Sequence, residues 1–232
     1  MLADLQARFL ESIGRADPDA PVPSCGQWRV RDLVVHLASV HHWAAAQARR
    51  RDPTPLTPNP SDLASFYDAQ AGELRATLAE LDPGSLAWTL DDDGVPPQQQ
   101  RGTVAFWHRR QVHETLVHLW DLETALEQNG PEVEASWWVD CLDEVVTVMA
   151  PRQVRLRRTD PPSARLVFVP DETGAPVSLT SVASDAVDVR VSGPARTLAL
   201  LAWGRVGLDD PAVTVCGDRG AAGATLAEGL TP

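Results

Sequence analysis

Residues 103–128 have the sequence TVAFWHRRQVHETLVHLWDLETALEQ, which predicts one long helix. Thr103 is a capping residue at its start, and Asn129-Gly130-Pro131 are typical of a helix end. Within this helix Glu114 and His118 are four residues apart, so their side chains leave the same face about one turn from each other. The sequence therefore places a carboxylate and an imidazole where they can bind a single divalent cation.

The same helical spacing of apolar residues recurs elsewhere in the first 150 residues. Before the third helix, Asn59-Pro60-Ser61-Asp62 provide a capping side chain, a proline for the first turn and an acid near the positive end of the helix. The predicted apolar stripe of this helix includes Leu63, Phe66 and Leu74. Because each helix has one apolar stripe, four or five of them predict a bundle. The other helices are predicted to begin near Leu2, Val30 and Ser136, the last ending at Pro151.

Residues 151–232 change to a spacing of two, which is typical of strands. Strands are predicted at residues 166–169, 177–180, 187–191 and 213–215, with a helix from Pro194 to Gly204, so this part is a small α+β domain. Charge changes at the same point: residues 1–150 hold 23 acidic residues and 11 arginines, whereas residues 151–232 hold nine of each. We expect an α+β protein of two domains, 1–150 and 151–232.

Composition excludes several classes of function. The formal charge of −12 argues against binding to nucleic acid or to an anionic membrane. No segment approaches the roughly 18 consecutive apolar residues of a membrane span, and no signal peptide is apparent, so we expect a cytoplasmic protein. The three dispersed cysteines form no disulfide framework, and each is predicted to be a small buried hydrophobe. All 20 basic residues are arginine, which excludes lysine chemistry and indicates a GC-rich genome, for example that of an actinobacterium.

All six histidines lie in two short clusters before residue 119. A single helical histidine is usually a surface or hydrogen-bonded core residue, but clusters on two helices favour a metal site. His113 and His118 are about 140° apart around the helix, so they cannot form the paired histidines of a zincin. His36 lies beside the apolar stripe of the second helix and is the best third ligand. With Glu114 and His118 it would leave a coordination position open.

Other roles stay open at this point. One of His41 and His42 lines the mouth of a cavity, or both lie on the surface. His113 and Asp121 either orient His118 or a water molecule, or are exposed neighbours. The run Asp91-Asp92-Asp93 is predicted to be a solvated loop and not a calcium site. A metal-free bundle with histidines in its core is a further alternative.

Three blocks of the sequence resemble the mycothiol-dependent maleylpyruvate isomerase family of actinobacteria. The resemblance implies a DinB-like four-helix bundle followed by a small α+β domain. It also implies a divalent metal, usually zinc, held by His36, Glu114 and His118, and it makes Arg205 the candidate for an arginine in the substrate site. The blocks are residues 28–37 (WRVRDLVVHL), 113–123 (HETLVHLWDLE) and 192–205 (SGPARTLALLAWGR).

The function implied by this resemblance is thiol activation. A metal with an open position can bind and deprotonate the thiol of mycothiol, and the thiolate then attacks an electrophile. With maleylpyruvate, addition, bond rotation and elimination would give the trans isomer; with another electrophile the conjugate would be released. We therefore expect a metal- and mycothiol-dependent isomerase or thiol transferase whose partners are small molecules. The alternative is a non-catalytic metal-binding or ligand-sensing bundle protein.

Overall fold

The computed structural model describes residues 1–232 and divides into two compact units, Met1–Glu132 and Val133–Pro232. The first unit is helical and has no strands beyond two isolated β-bridges. Its helices pack against one another through their apolar faces, as expected for a four-helix bundle. They are α1 (Leu2–Ile13), α2 (Val30–Ala48), α3 (Leu63–Glu80) and α4 (Val104–Ala125).

Helix α3 differs from the prediction in its start and in its buried face. The side chain of Asp62, and not that of Asn59, caps it by accepting from the Ser65 amide at 3.0 Å. Tyr67, which packs on Phe9 with ring centroids 4.7 Å apart, is buried instead of Phe66. Leu74 belongs to both the predicted and the observed apolar stripe. The spacing of apolar residues alone therefore did not distinguish the face of Phe66 from the face of Tyr67.

The loop between α3 and α4 is held by a buried carboxylate. Asp92 accepts hydrogen bonds from Thr89 N at 3.1 Å, Arg101 N at 2.9 Å and Gly102 N at 3.1 Å. The prediction of a solvated loop was therefore wrong for Asp92, which is 4% exposed. The side chain replaces backbone partners that an irregular loop lacks.

The second unit begins with a helix that continues through Pro151. Helix α5 (Ala135–Glu144) leads into a π-helical segment, Val145–Met149, and then into α6 (Ala150–Arg155). The Ala150 amide donates to the Val145 carbonyl, five residues back, so Pro151 follows a widened turn and lies in the first turn of α6. The missing N–H of proline is tolerated at such a position, and the predicted stop at Pro151 was wrong.

The division between the units also lies earlier than the predicted boundary at residue 150. Helix α5 packs against a helix of the second unit, α7 (Ala195–Ala202). An amphipathic helix has the same pattern of apolar residues whether it joins a bundle or covers a sheet. The periodicity of α5 therefore does not show to which of the two units it belongs. The change in net charge near residue 150 does not mark the boundary.

A four-stranded mixed sheet forms the rest of the second unit. Its strands are β1 (Ala164–Pro170), β2 (Val177–Ser178), β3 (Val187–Gly193) and β4 (Thr214–Cys216). The strand order is β2-β1-β3-β4, with β1 and β3 parallel and both outer pairs antiparallel. Helices α7 and α8 (Arg219–Ala227) pack on it over a core that includes Phe168, Val191 and Leu198. This confirms the predicted fold class, although α6 and α8 were not predicted.

No helix combines the length and the apolar character that crossing a membrane requires.

Candidate metal centre

The structure brings His36 of α2 together with Glu114 and His118 of α4. The Nε2 atom of His36 lies 3.5 Å from Glu114 Oε1, and the Nε2 atom of His118 lies 3.3 Å from the same oxygen. The candidate ligand atoms of the three residues all lie within 4.8 Å of one another. The three residues predicted from the sequence therefore form one cluster.

This spacing fits a small divalent cation. Ligands placed about 2.05 Å from a tetrahedral zinc ion are about 3.3 Å from each other. The two nitrogen–oxygen distances at Glu114 Oε1 are close to that value. Two imidazoles and one carboxylate are also a donor set that zinc accepts, with a fourth position left for an exogenous ligand.

The cluster is accessible from the side of His36. The side chain of His36 is 37% exposed, whereas those of Glu114 and His118 are 6% and 7% exposed. Trp28, in the loop before α2, covers both rings: its ring centroid is 4.8 Å from that of His36 and 6.5 Å from that of His118. Any exogenous ligand would therefore approach past His36 and the indole.

Asp121 fixes the orientation of His118. Its Oδ2 accepts a hydrogen bond from His118 Nδ1 at 2.9 Å, and its Oδ1 accepts one from the Ser24 hydroxyl at 2.6 Å. With Nδ1 bonded in this way, Nε2 faces Glu114 and is the nitrogen left available to a cation. Burial by itself lowers the pKa of His118, but the carboxylates of Glu114 and Asp121 outweigh it and raise that pKa to about 9. Without a bound cation, the side chain therefore carries a proton on both nitrogens at neutral pH.

Arg110 forms an ion pair with the other oxygen of Glu114. The Arg110 guanidinium contacts Oε2, so Oε1 alone faces the two imidazoles. Burial raises the pKa of the Glu114 carboxyl, but the positive charges of Arg110 and His118 outweigh burial and hold that pKa well below its usual range. Glu114 is thus an anion in the interior of the bundle.

The remaining histidines of the two helices do not belong to the cluster. His41 is buried, its Nδ1 bonds to Gln111 Oε1 at 2.8 Å, and burial lowers its pKa to about 4. His42 is buried against Glu73, with Nδ1 2.6 Å from the carboxylate. Neither is a surface residue, which corrects one of the predicted alternatives. His113 is fully buried, so it is not an exposed neighbour.

Cys25 lies beside the candidate centre, which the sequence did not indicate. Its sulfur and the ligand atoms of His118 and Asp121 lie within 4.8 Å of one another. Of the three cysteines only Cys141 is a buried hydrophobe as predicted; Cys25 is half-buried and Cys216 is exposed. Cys25 ends a short 3-10 helix, Pro23–Cys25, and Trp28 lies just after it. The position of this segment depends on tertiary packing, which no local pattern reveals.

Arg110 was not predicted as part of the site, although the sequence contains a signal for it. Arg110, Glu114 and His118 follow one another at intervals of four, so all three share one helix face. The position one turn before the Glu114–His118 pair is therefore the sequence signal for Arg110.

Arg205 belongs to the second unit. Its guanidinium donates to the Trp203 carbonyl at 2.9 Å and lies 5.9 Å from the centre of the Trp203 ring. These contacts hold the side chain against its own segment, and its predicted role toward substrate stays a prediction.

The fold and the cluster together define a helical bundle with a histidine–glutamate–histidine centre, joined to a small α+β unit. Residues 2–123 match the family described as the mycothiol maleylpyruvate isomerase N-terminal domain, and residues 136–224 match the MDMPI C-terminal domain. The chain therefore belongs to the mycothiol maleylpyruvate isomerase family.

Comparison with solved structures gives the same fold. A mycothiol-dependent maleylpyruvate isomerase superposes with a TM-score of 0.61 at 14% sequence identity, over 92% of this chain and 89% of that one. A histidine-to-alanine mutant of such an isomerase gives a TM-score of 0.60 with the same identity and coverage. No curated protein matches the chain by sequence.

Proposed function

We propose that this protein is a metal- and mycothiol-dependent isomerase or thiol transferase. The observation that carries the proposal is the convergence of His36, Glu114 and His118 at distances suited to one cation. Membership of the mycothiol maleylpyruvate isomerase family supports mycothiol as the thiol and an isomerisation as the reaction.

The protein groups have distinct tasks in this proposal. His36, Glu114 and His118 would hold a divalent cation, zinc being the expected one. Asp121 would keep the Nε2 atom of His118 directed at that position, and Trp28 packs beside the two imidazoles. The metal, when bound, would supply the positive charge that stabilises a thiol as its thiolate.

The thiolate is the nucleophile in both versions of the reaction. With maleylpyruvate its sulfur would add to the conjugated double bond, leaving a single bond about which the carbon chain rotates. Elimination of the thiolate would then restore the double bond in the trans arrangement, with no net consumption of thiol. With another electrophile the carbon–sulfur bond would be kept and the conjugate released. We propose that Arg205 binds a substrate carboxylate by a bidentate contact.

Replacement of Glu114 tests the proposal. Glu114→Gln keeps the shape of the side chain but removes the charge that binds the cation, so metal content should fall from about one equivalent to less than about a tenth. Thiol-dependent turnover of maleylpyruvate should disappear with it. Elemental analysis of protein purified without chelator and an assay with mycothiol measure the two effects.

His108→Ala is the matched control, because His108 is an exposed histidine of the same helix. It should retain both metal and turnover. If the metal-loaded wild-type protein activates no thiol toward maleylpyruvate or toward a generic electrophile, the non-catalytic metal-binding alternative becomes the better description. Metal content below about a tenth of an equivalent in the wild-type protein would contradict the metal centre itself.

A further inference from the structure

The Nδ1 side of the His118 ring carries a second group of possible metal ligands. The Nε2 atom of this ring faces Glu114 in the candidate metal centre, whereas Nδ1 lies 2.9 Å from Asp121 Oδ2. The sulfur of Cys25 and the ligand atoms of His118 and Asp121 lie within 4.8 Å of one another. Neither His36 nor Glu114 belongs to this group, so His118 is the residue that the two groups share.

The two groups differ in the cations that their donor atoms prefer. The candidate metal centre offers two imidazole nitrogens and a carboxylate oxygen, from His36, His118 and Glu114. The second group offers a thiolate, an imidazole and a carboxylate. Soft cations bind a thiolate more strongly than they bind nitrogen or oxygen ligands, so a thiophilic cation should choose the side of Cys25. A hard cation such as magnesium gains nothing from the sulfur.

The second group is accessible from its sulfur end. The side chains of His118 and Asp121 are 7% and 0% exposed, whereas Cys25 is half-buried. The backbone of Cys25 is held in place, because its amide donates to the Val22 carbonyl at 3.0 Å and its carbonyl accepts from the Trp28 amide at 3.2 Å. A cation therefore reaches the group past a thiol that can rotate about a single bond.

Closing the group around a cation requires only small movements. Sulfur and nitrogen ligands at about 2.3 and 2.05 Å from a tetrahedral zinc ion are about 3.6 Å from each other. The sulfur of Cys25 lies within 4.8 Å of its partners, so a shift of no more than about 1.2 Å gives that separation. Asp121 Oδ1 accepts from the Ser24 hydroxyl at 2.6 Å, so the carboxylate stays in position while Oδ2 exchanges Nδ1 for the cation.

We propose that Cys25, His118 and Asp121 form a second cation site, for a thiophilic divalent cation, whose occupation excludes metal from the candidate centre. The cation displaces one proton from the Cys25 thiol and one from His118 Nδ1, and Asp121 exchanges its hydrogen bond for a bond to the cation. The remaining proton of the imidazole is then on Nε2, which donates to Glu114 and binds no metal. A neutral imidazole has one nitrogen lone pair for coordination, so only one of the two sites is filled at a time. This inference does not depend on the thiol or the reaction of the proposed function.

Cadmium titration of chelator-treated protein tests the site, because a cadmium–thiolate bond has an ultraviolet charge-transfer absorption that bonds to nitrogen or oxygen lack. This absorption should saturate at about one equivalent of cadmium. In Cys25→Ser it should fall to less than about a tenth, and Asp121→Asn should weaken cadmium binding at least about tenfold.

Two variants serve as controls for this titration. Cys216→Ser removes the exposed cysteine of the second unit and should keep the absorption. Glu114→Gln changes only the candidate centre and should keep it as well. A signal that survives Cys25→Ser, or one that disappears in Cys216→Ser, would overturn the inference.

Activity separates this inference from the proposed function. One equivalent of cadmium should inhibit thiol-dependent turnover by the zinc-loaded wild-type protein, and Cys25→Ser should need at least about tenfold more cadmium for the same inhibition. Equal inhibition of the two proteins would overturn the exclusion of metal from the centre. A cadmium signal that depends on Cys25, in a protein that shows no thiol-dependent turnover, would support the cation site and contradict the proposed function. Turnover without that signal would do the reverse.

Discussion

His118 is the residue of the candidate centre whose ring contacts two carboxylates. One nitrogen is bound to Asp121 and the other faces Glu114, so the ring lies between two carboxylates inside the bundle. A proton and a metal ion are alternative ways of balancing that negative charge. Solution conditions that remove the proton should therefore favour the metal.

Zinc affinity should rise with pH because the cation must displace the proton of His118. The pKa of His118 is raised to about 9, so the apparent affinity should increase about tenfold per pH unit between pH 6.5 and 8.5 and level off above pH 9. Competition with a chelator across this range measures the slope. Asp121→Asn removes one of the carboxylates that raise the pKa, so its plateau should begin at lower pH. An affinity of the wild-type protein that does not change with pH would contradict this assignment of the proton.

The metal-free protein should show the opposite trend in stability. The pKa of His118 is higher in the folded protein, at about 9, than its ordinary value of 6.5. Its charged form therefore stabilises the fold fully below pH 6.5, and this contribution is lost as pH rises through 9. We expect the free energy of unfolding to fall by on the order of 3 kcal/mol between these limits. Urea titrations of chelator-treated protein measure it, and His118→Asn should show a flatter profile.

At the scale of the helices, the sequence predicted those elements whose pattern is local. The spacing along α4 placed Glu114 and His118 on one face, and apolar residues located α1, α2 and the four strands. The buried face of α3 could not be predicted in the same way, because Leu74 belongs to two overlapping stripes and only the contact of Tyr67 with Phe9 decides between them. Pro151 illustrates a second limit, since a π-helical segment lets the helix continue where proline predicts an end.

The loop before α4 should depend on a single buried carboxylate. Asp92→Ala removes the acceptor for the amides of Thr89, Arg101 and Gly102, and these donors have no other group in place to bond. We expect a loss of about 2–4 kcal/mol in the free energy of unfolding. Chemical denaturation measures the effect.

Gln98→Ala is the control for this loop, because Gln98 is an exposed residue of the same loop. It should change stability by no more than about 0.5 kcal/mol. Equal losses in the two variants would mean that the carboxylate of Asp92 has no special part in holding the loop.

At the scale of the whole molecule, the candidate metal ligands and the candidate substrate arginine belong to different units. His36, Glu114 and His118 lie in residues 1–132, and Arg205 lies in residues 133–232. The three candidate metal ligands could be predicted from helical spacing and from resemblance to the family. Whether Arg205 approaches a substrate depends on tertiary structure, which the spacing of residues along the sequence does not reveal. The distribution of charged residues along the sequence likewise did not reveal that the first unit ends at Glu132. Charged residues lie mostly on the surface, so they do not indicate against which unit α5 packs.

Arg205→Ala should separate metal binding from substrate capture. Metal content should stay near one equivalent, because no ligand is changed, and the KM for a carboxylate-bearing electrophile should rise at least about tenfold. Arg219→Ala, in the same unit, is the control and should leave both unchanged. A KM unaffected by Arg205→Ala would exclude this arginine from the substrate site.

The ion pair between Arg110 and Glu114 has a consequence for the identity of the cation. Because Arg110 occupies Oε2, Glu114 can coordinate through Oε1 only, as a monodentate ligand. Calcium, which prefers six to eight oxygen ligands and often chelating carboxylates, is poorly served by such a site. The guanidinium also withdraws negative charge from the carboxylate, so a zinc ion bound here would keep much of its Lewis acidity for the ligand that enters the fourth position.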